Sequence, residues 1–264
     1  MREDLIELIE HAKWFVTRLN TNGIRLTKEY CQKLSKASLD SVQITFYSEK
    51  EEVHNRLVGA ERFRETVAGI ENALEAGLNL SVNTPLCTLN REYVDTLQFL
   101  HEKGVLYVTC SGLITTGNAA MPESEGLQLT SEEIREVLQE SVDYCFSHGM
   151  EISFTSPGWV DEDFCGELGI STPSCGACLS NMAITPGGNV VPCQSWLSDP
   201  VLGNFLSDEW ETIWNSDACR RKREFSASMD FTCPLRIGTD RKDDSEGVRE
   251  AACKENQARE GGRI

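Results

Sequence analysis

The stretch CGACLSNMAITPGGNVVPC, residues 175–193, sets three thiols, Cys175, Cys178 and Cys193, around one tight turn. Residues 182–185 read as a short strand, Pro186, Gly187 and Gly188 supply a turn whose glycines can take positive φ, and residues 189–191 read as the returning strand. A hairpin of that shape carries Cys193 back beside the Cys175/Cys178 knuckle. Thiolates gathered so closely repel one another unless a cation or an iron–sulfur cluster neutralises them. The spacing therefore predicts a metal or cluster site rather than a set of buried structural cysteines.

The rest of the chain supports that reading. Eleven cysteines in 264 residues is a high, odd count. The N-terminus MREDLIELIEHAKW is charged and amphipathic rather than a signal peptide, so the thiols point to metal ligation before disulfides, in a cytosolic protein. A formal charge of −17 argues against nucleic acid or an anionic membrane as partner, since both need Lys/Arg patches; the basic run 220–223 reads as a solvated helix end. No apolar run reaches the ~18 residues of a membrane span.

Up to about residue 156 the sequence alternates β-branched runs with amphipathic stretches, the pattern of βα units on a parallel sheet. Strands are predicted at 14–19, 41–47, 78–84, 105–110 and 151–155. Between them, Phe63, Val67, Ile70 and Leu74 recur at helical spacing, as do Ile134, Val137, Leu138, Val142 and Phe146. Thr130 with Glu133 forms a capping box for the second of these helices, and Gly149 stops it. The expected architecture is an α/β unit over 1–156, an incomplete barrel or open sheet with ligand-bearing loops at the strands' carboxyl ends. A smaller Cys-rich module follows over 157–240, with a helix over 208–223 presenting Trp210, Ile213 and Trp214, and then a loose tail over 241–264.

Two stretches resemble the radical S-adenosylmethionine (SAM) enzymes that carry a C-terminal SPASM or twitch domain. In the α/β part these are TNG at 21–23, VQITFYSEKEEVHNRLVG at 42–59 and the strand LNLSVNTPL at 78–86. In the cysteine part they are CGAC, ITPGGNVVPC, LGN at 202–204 and ETIWNS at 211–216. That family's auxiliary-cluster signature is Cys, nine to fifteen residues, Gly, four residues, Cys; here the gaps are twelve from Cys175 to Gly188 and four from Gly188 to Cys193. The resemblance implies a partial radical SAM-type (β/α) barrel followed by a SPASM/twitch module holding an auxiliary [4Fe-4S] cluster. It implies SAM-dependent radical modification of a peptide, a protein or a cofactor precursor, beginning with reductive cleavage of SAM. It also places Thr45 near the SAM ribose, although strand threonines are common for packing reasons alone.

The sequence departs from the family in one respect. It contains no Cys-x3-Cys-x2-Cys, the motif whose cluster binds SAM, and no glycine-rich SAM-amine segment. A preceding portion of roughly 80–120 residues is expected on the length of βα units, either in a longer frame or in a companion chain, and this chain alone is not expected to cleave SAM. For the cluster, Cys175, Cys178 and Cys193 are the expected ligands. Cys233 is the first choice for the fourth and Cys219 the second, with an open coordination site as a third option. His54 and Asn55 resemble the family's His-Asp pair, and by itself such a histidine reads as an exposed loop residue. Tyr47 replaces a frequent Asp. Asn83 either faces the cavity or caps a turn. Cys110 and Cys145 read as buried and inert, and Cys87 as an accessible loop cysteine with no base beside it. The competing reading is a non-catalytic module, stabilised by zinc or a cluster, that binds a peptide or partner.

Overall fold

In the first unit of the fold, β-branched and apolar residues fall at every second position of short segments. Each segment is followed by a helix that can cover only one face of a sheet. The computed structural model describes residues 3–114, 119, 126–195 and 201–228. Two compact units divide the chain, the first comprising Met1–Leu113, Gly126–Thr155 and Val160–Thr172, the second Ile114–Glu125, Ser156–Trp159 and Pro173–Ile264. The boundary read from sequence at 156/157 thus leaves residues 160–172 on the side of the first unit. The tail over 241–264 lies outside the described residues.

After helix α1 (Leu5–His11), the first unit runs β1 (Arg18–Thr21), α2 (Lys28–Lys36), β2 (Ser41–Thr45), α3 (Glu51–Val58), α4 (Phe63–Glu75) and β3 (Leu80–Leu86). It continues through α5 (Tyr93–Glu102), β4 (Tyr107–Gly112), α6 (Ser131–Ser147), β5 (Glu151–Phe154) and α7 (Glu162–Leu168). The five strands pair in sequence order, every neighbour parallel. This is the α/β class expected.

One face of the sheet is the core. Val42, Ile44 and Phe46 on and just beyond β2, Leu80, Val82 and Leu86 on β3, Val108 and Cys110 on β4, and Ile152 and Phe154 on β5 are buried. Helices pack against that side, α4 on β2 and β3 and α6 on β5. The alternation is unusual for parallel strands, which are normally covered on both faces and uniformly apolar.

Several predicted details shift. The first strand begins at Arg18 rather than at residue 14; Trp14, Phe15 and Val16, although apolar, are exposed. In α4 the buried stripe is Thr66, Gly69, Ile70 and Ala73, a partial turn away from Phe63, Val67 and Leu74. Gly69 sits there because a Cβ would lie 2.3 Å from the carbonyl oxygen of Gly23, so only glycine lets the TNG turn rest on the helix. Thr66 Oγ1 donates to Asn22 O at 3.1 Å, fixing the same turn. The capping box of α6 forms as expected, with the Thr130 side chain accepting from Glu133 N–H. On that helix Cys145 fills the core position, and Phe146 is exposed.

The second unit contains a small antiparallel sheet of β6 (Ala183–Ile184), β7 (Asn189–Val191) and β8 (Gly203–Asn204), followed by α8 (Trp210–Trp214) and α9 (Asp217–Ser228). The hairpin stands where the sequence placed it. The single helix expected over 208–223 is two, because the backbone leaves helical hydrogen bonding at Asn215 and Ser216 and the Ser216 hydroxyl accepts from Cys219 N–H at 3.2 Å to start a new helix.

Candidate functional site

The knuckle is wound around one carbonyl. Gly176 O accepts from the N–H groups of Leu179, Ser180 and Asn181, each at 2.9 Å. Cys178 holds a left-handed backbone, φ 56°, uncommon for a residue with a side chain. Its N–H donates to Asn181 O at 2.9 Å and to Pro192 O at 3.3 Å. The second bond ties the knuckle to the residue before Cys193, which is the approach the spacing predicted.

The glycine of the spacing has a steric cause. Gly188 sits at φ +84°, and a Cβ there would stand 2.7 Å from Leu206 Cγ and 2.8 Å from Asn204 Oδ1. Its carbonyl accepts from Phe205 N–H at 2.7 Å. Asn204 Nδ2 donates to Gly187 O and to Asn189 Oδ1, both at 3.0 Å, so the LGN segment locks the hairpin turn from the side.

Helix α9 brings further groups to the knuckle. Ser226 Oγ donates to Ala177 O at 2.7 Å and lies 3.5 Å from Cys175 Sγ. The Cys178 thiol is raised above the ordinary range first by burial and then by the Cys219 thiol within hydrogen-bond reach; Arg223 and Lys222 pull the other way. Of the two candidate fourth ligands, Cys219 is thus beside Cys178, and Cys233 lies outside the described residues. Among the described residues no three His, Cys, Asp or Glu side chains stand close enough to hold a single metal ion. What the fold assembles is a donor set of thiols with cations beside it, chemistry that fits a thiolate-bound centre.

The first unit offers a different surface. On the sheet face opposite the core, Gln43 Nε2 donates to Thr109 Oγ1 at 3.2 Å and to Ser81 Oγ at 3.4 Å, and Thr109 Oγ1 donates to Asn83 Oδ1 at 2.8 Å. Asn83 therefore faces along the open side of the sheet rather than capping a turn. Thr45, its register partner, ends the same row. Among the described residues, Gln43 Oε1 and Asn83 Nδ2 are left as one acceptor and one donor.

Two further residues differ from their sequence reading. His54 is buried on α3, within 5 to 6 Å of the rings of Phe46, Phe63 and Tyr47, and its Nδ1 accepts from Tyr47 N–H at 3.3 Å. Burial lowers its pKa to about 4. Its neighbour Asn55 accepts from Arg62 N–H and Phe63 N–H at 2.8 and 2.9 Å, starting α4. Cys87 is buried, not accessible. Sequence reasoning missed Asn90, whose Nδ2 donates to Tyr47 O and Pro85 O while its Oδ1 accepts from Cys87 N–H, clamping the ends of β2 and β3. A lone Asn in a loop gives no signal of that role.

Comparison with known proteins agrees with both halves of the chain. The model of the radical SAM superfamily matches residues 1–100, and SPASM, described as an iron–sulfur cluster-binding domain, matches residues 175–236. A probable GTP 3',8-cyclase of Thermococcus kodakarensis is 34% identical over 110 residues, covering 40% of this chain and 36% of that protein. Among solved structures, Streptococcus suis SuiB bound to precursor peptide SuiA superposes with TM-score 0.66 at 13% identity, over 84% of this chain and 53% of SuiB. The anSMEcpe protein with bound AdoMet and Kp18Cys peptide gives 0.61 at 16% identity, over 80% and 60%. The chain thus spans between about a third and three-fifths of these proteins. The radical SAM superfamily model over residues 1–100 and the iron–sulfur cluster-binding SPASM model over residues 175–236 thus each match one of the two units of this chain, and the solved structures share its fold.

Proposed function

We propose that this chain is the auxiliary-cluster part of a radical SAM enzyme that modifies a peptide. Cys175, Cys178 and Cys193 hold a [4Fe-4S] cluster in the second unit, and the open polar face of the first unit receives ligand. The observation that supports the reading is the cysteine hairpin, in which Gly188 and the Asn204 lock shape the turn and the Cys178-to-Pro192 backbone bond ties the knuckle to the residue before Cys193. When bound, such a cluster supplies one-electron chemistry that side chains cannot. The thiols ligate it, and the hairpin and α9 fix their positions.

For the substrate class, two structural relatives are recorded with bound peptides. The acceptor of Gln43 and the donor of Asn83, side by side on the open face, suit an amide, which offers one of each. Thr45 at the end of that row is the proposed SAM contact. The sequence has no Cys-x3-Cys-x2-Cys, so a companion segment or chain is proposed to supply the SAM-binding cluster. The β1 edge and the exposed Trp14, Phe15 and Val16 beside it suit such a partner.

The reading is tested by anaerobic reconstitution with iron and sulfide followed by elemental analysis. About four iron and four sulfide per chain are expected; stoichiometric zinc with no sulfide would replace the reading with that of a zinc-stabilised binding module. These 264 residues alone, reduced with dithionite, are expected to make no 5′-deoxyadenosine above the protein-free control, and sustained turnover by the chain alone would refute the companion proposal.

A further inference from the structure

Arg223 is held in place by three interactions. Its Nη2 donates to Trp214 O at 2.8 Å, its guanidinium lies 4.1 Å from the centre of the Trp214 ring, and its Nη1 donates to Cys219 Sγ at 3.1 Å. Cys219 is fully buried and lies in the first turn of the twelve-residue α9, where the helix N-terminus favours negative charge. A neutral thiol is a weak acceptor and gives the half-buried guanidinium little in return. A thiolate accepts a charge-assisted hydrogen bond of roughly twice the strength. Two features, the helix start and the clamped arginine, therefore place positive potential on the Cys219 sulfur, which lies beside Cys178.

Resting on the cluster reading above, we infer that Cys219 is the fourth thiolate ligand of the auxiliary cluster and that Arg223, clamped on Trp214, is a positioning residue that holds positive charge against it and raises its reduction potential. The arginine does not touch substrate. Reduction adds one negative charge to the cluster, and a fixed cation hydrogen-bonded to a ligating sulfur stabilises the reduced form more than the oxidised one. The basic run that reads from sequence as a solvated helix end is thus, at Arg223, part of the centre's surroundings.

The test uses the full chain, reconstituted anaerobically. Cys219→Ser and Cys233→Ser are compared for iron and acid-labile sulfide, and Arg223→Leu and Arg223→Lys for midpoint potential in an electron-paramagnetic-resonance titration with dithionite as reductant. Cys219→Ser is expected to lose the [4Fe-4S] signal or convert it to an altered form, and Cys233→Ser to keep it. Arg223→Leu is expected to load normally and to shift the reduction equilibrium about tenfold toward the oxidised form, which for a one-electron couple is about 59 mV more negative. Arg223→Lys should recover part of that shift, which a residue that only joined α8 to α9 would not do. If Arg223→Leu does not fold, the potential of Arg223→Gln, which removes the charge but can still donate to Trp214 O, decides, an unchanged value counting against the inference. If wild type loads a cluster while Cys219→Ser is indistinguishable from it and Cys233→Ser is empty, the inference is overturned and the cluster reading stands. If wild type itself binds no sulfide, both fail.

Discussion

The two units use cysteine in opposite ways. In the first, Cys31, Cys87, Cys110, Cys145 and Cys165 are all buried, and burial pushes each thiol up, Cys31 to about 11 and Cys145 to about 12. They behave as small apolar side chains and are not poised for nucleophilic or ligand chemistry. In the second unit, Cys175 and Cys193 are half-exposed, and the buried pair Cys178 and Cys219 faces Arg223 and Lys222. The difference lies in the surroundings. The thiols of the first unit meet apolar packing, whereas in the second unit Arg223 and Lys222 act against the burial that raises Cys178, and Arg223 donates to Cys219 Sγ.

Cysteine substitutions should break that contrast most visibly. Cys175→Ala, Cys178→Ala or Cys193→Ala is expected to abolish iron binding, because removing a thiolate leaves the remaining ligands unable to hold the cluster's charge. Cys110→Ala and Cys145→Ala should leave iron content within error of wild type while costing on the order of 1 kcal/mol of stability in the first unit. Iron analysis and urea denaturation on the same samples check both halves; loss of iron in Cys110→Ala would undo the distinction.

Glycine substitutions sharpen it, since both units have glycines with no room for a side chain, among them Gly69 in the first and Gly188 in the second. Gly69→Ala drives a methyl into backbone that cannot yield and is expected to cost at least about 3 kcal/mol, read as a lowered urea midpoint of the sheet. At Gly188 the clashing atoms are mostly side-chain, but the positive φ adds strain, so Gly188→Ala should cost about 1 to 3 kcal/mol and lower cluster occupancy without unfolding the first unit. Limited proteolysis separates the two outcomes.

The most gradual predicted effect, a slope with pH rather than a loss, belongs to the first unit alone. His54 is buried neutral with a pKa of about 4, below the ordinary 6.5, so between those values the unfolded chain binds a proton that the folded chain does not. Stability should therefore be full above about pH 6.5 and fall as pH drops toward 4, by at most roughly 3 kcal/mol. His54→Phe, which keeps an aromatic ring and cannot charge, should flatten that slope. An identical pH dependence in wild type and variant would show that burial of His54 is not its source.

Much of this was legible in the sequence. Alternating βα texture located the parallel sheet, the box Thr130/Glu133 placed the start of α6, and the turn Pro186-Gly187-Gly188 placed the hairpin, because each depends on local chemistry. What stayed hidden depends on distant neighbours. Phe146 and Cys145 are equally apolar to a periodicity reading, and only the packing of α6 on β5 decides which turns inward. The break at Ser216 hid inside a good helical pattern because a capping hydroxyl looks like any surface serine. The Gln43, Thr109 and Asn83 row appears only once the register of three strands is known, and the Arg223 clamp only once α8 and α9 fold separately.

The central claim is that the second unit holds a [4Fe-4S] cluster on thiols brought together by the hairpin. Its most direct test is the Mössbauer spectrum of the chain reconstituted with ⁵⁷Fe under anaerobic conditions, alongside Cys193→Ala. The account predicts the paired, valence-delocalised iron sites of a [4Fe-4S] centre in wild type and their loss in the variant. A spectrum showing only isolated high-spin iron, or the same cluster in both proteins, would contradict it.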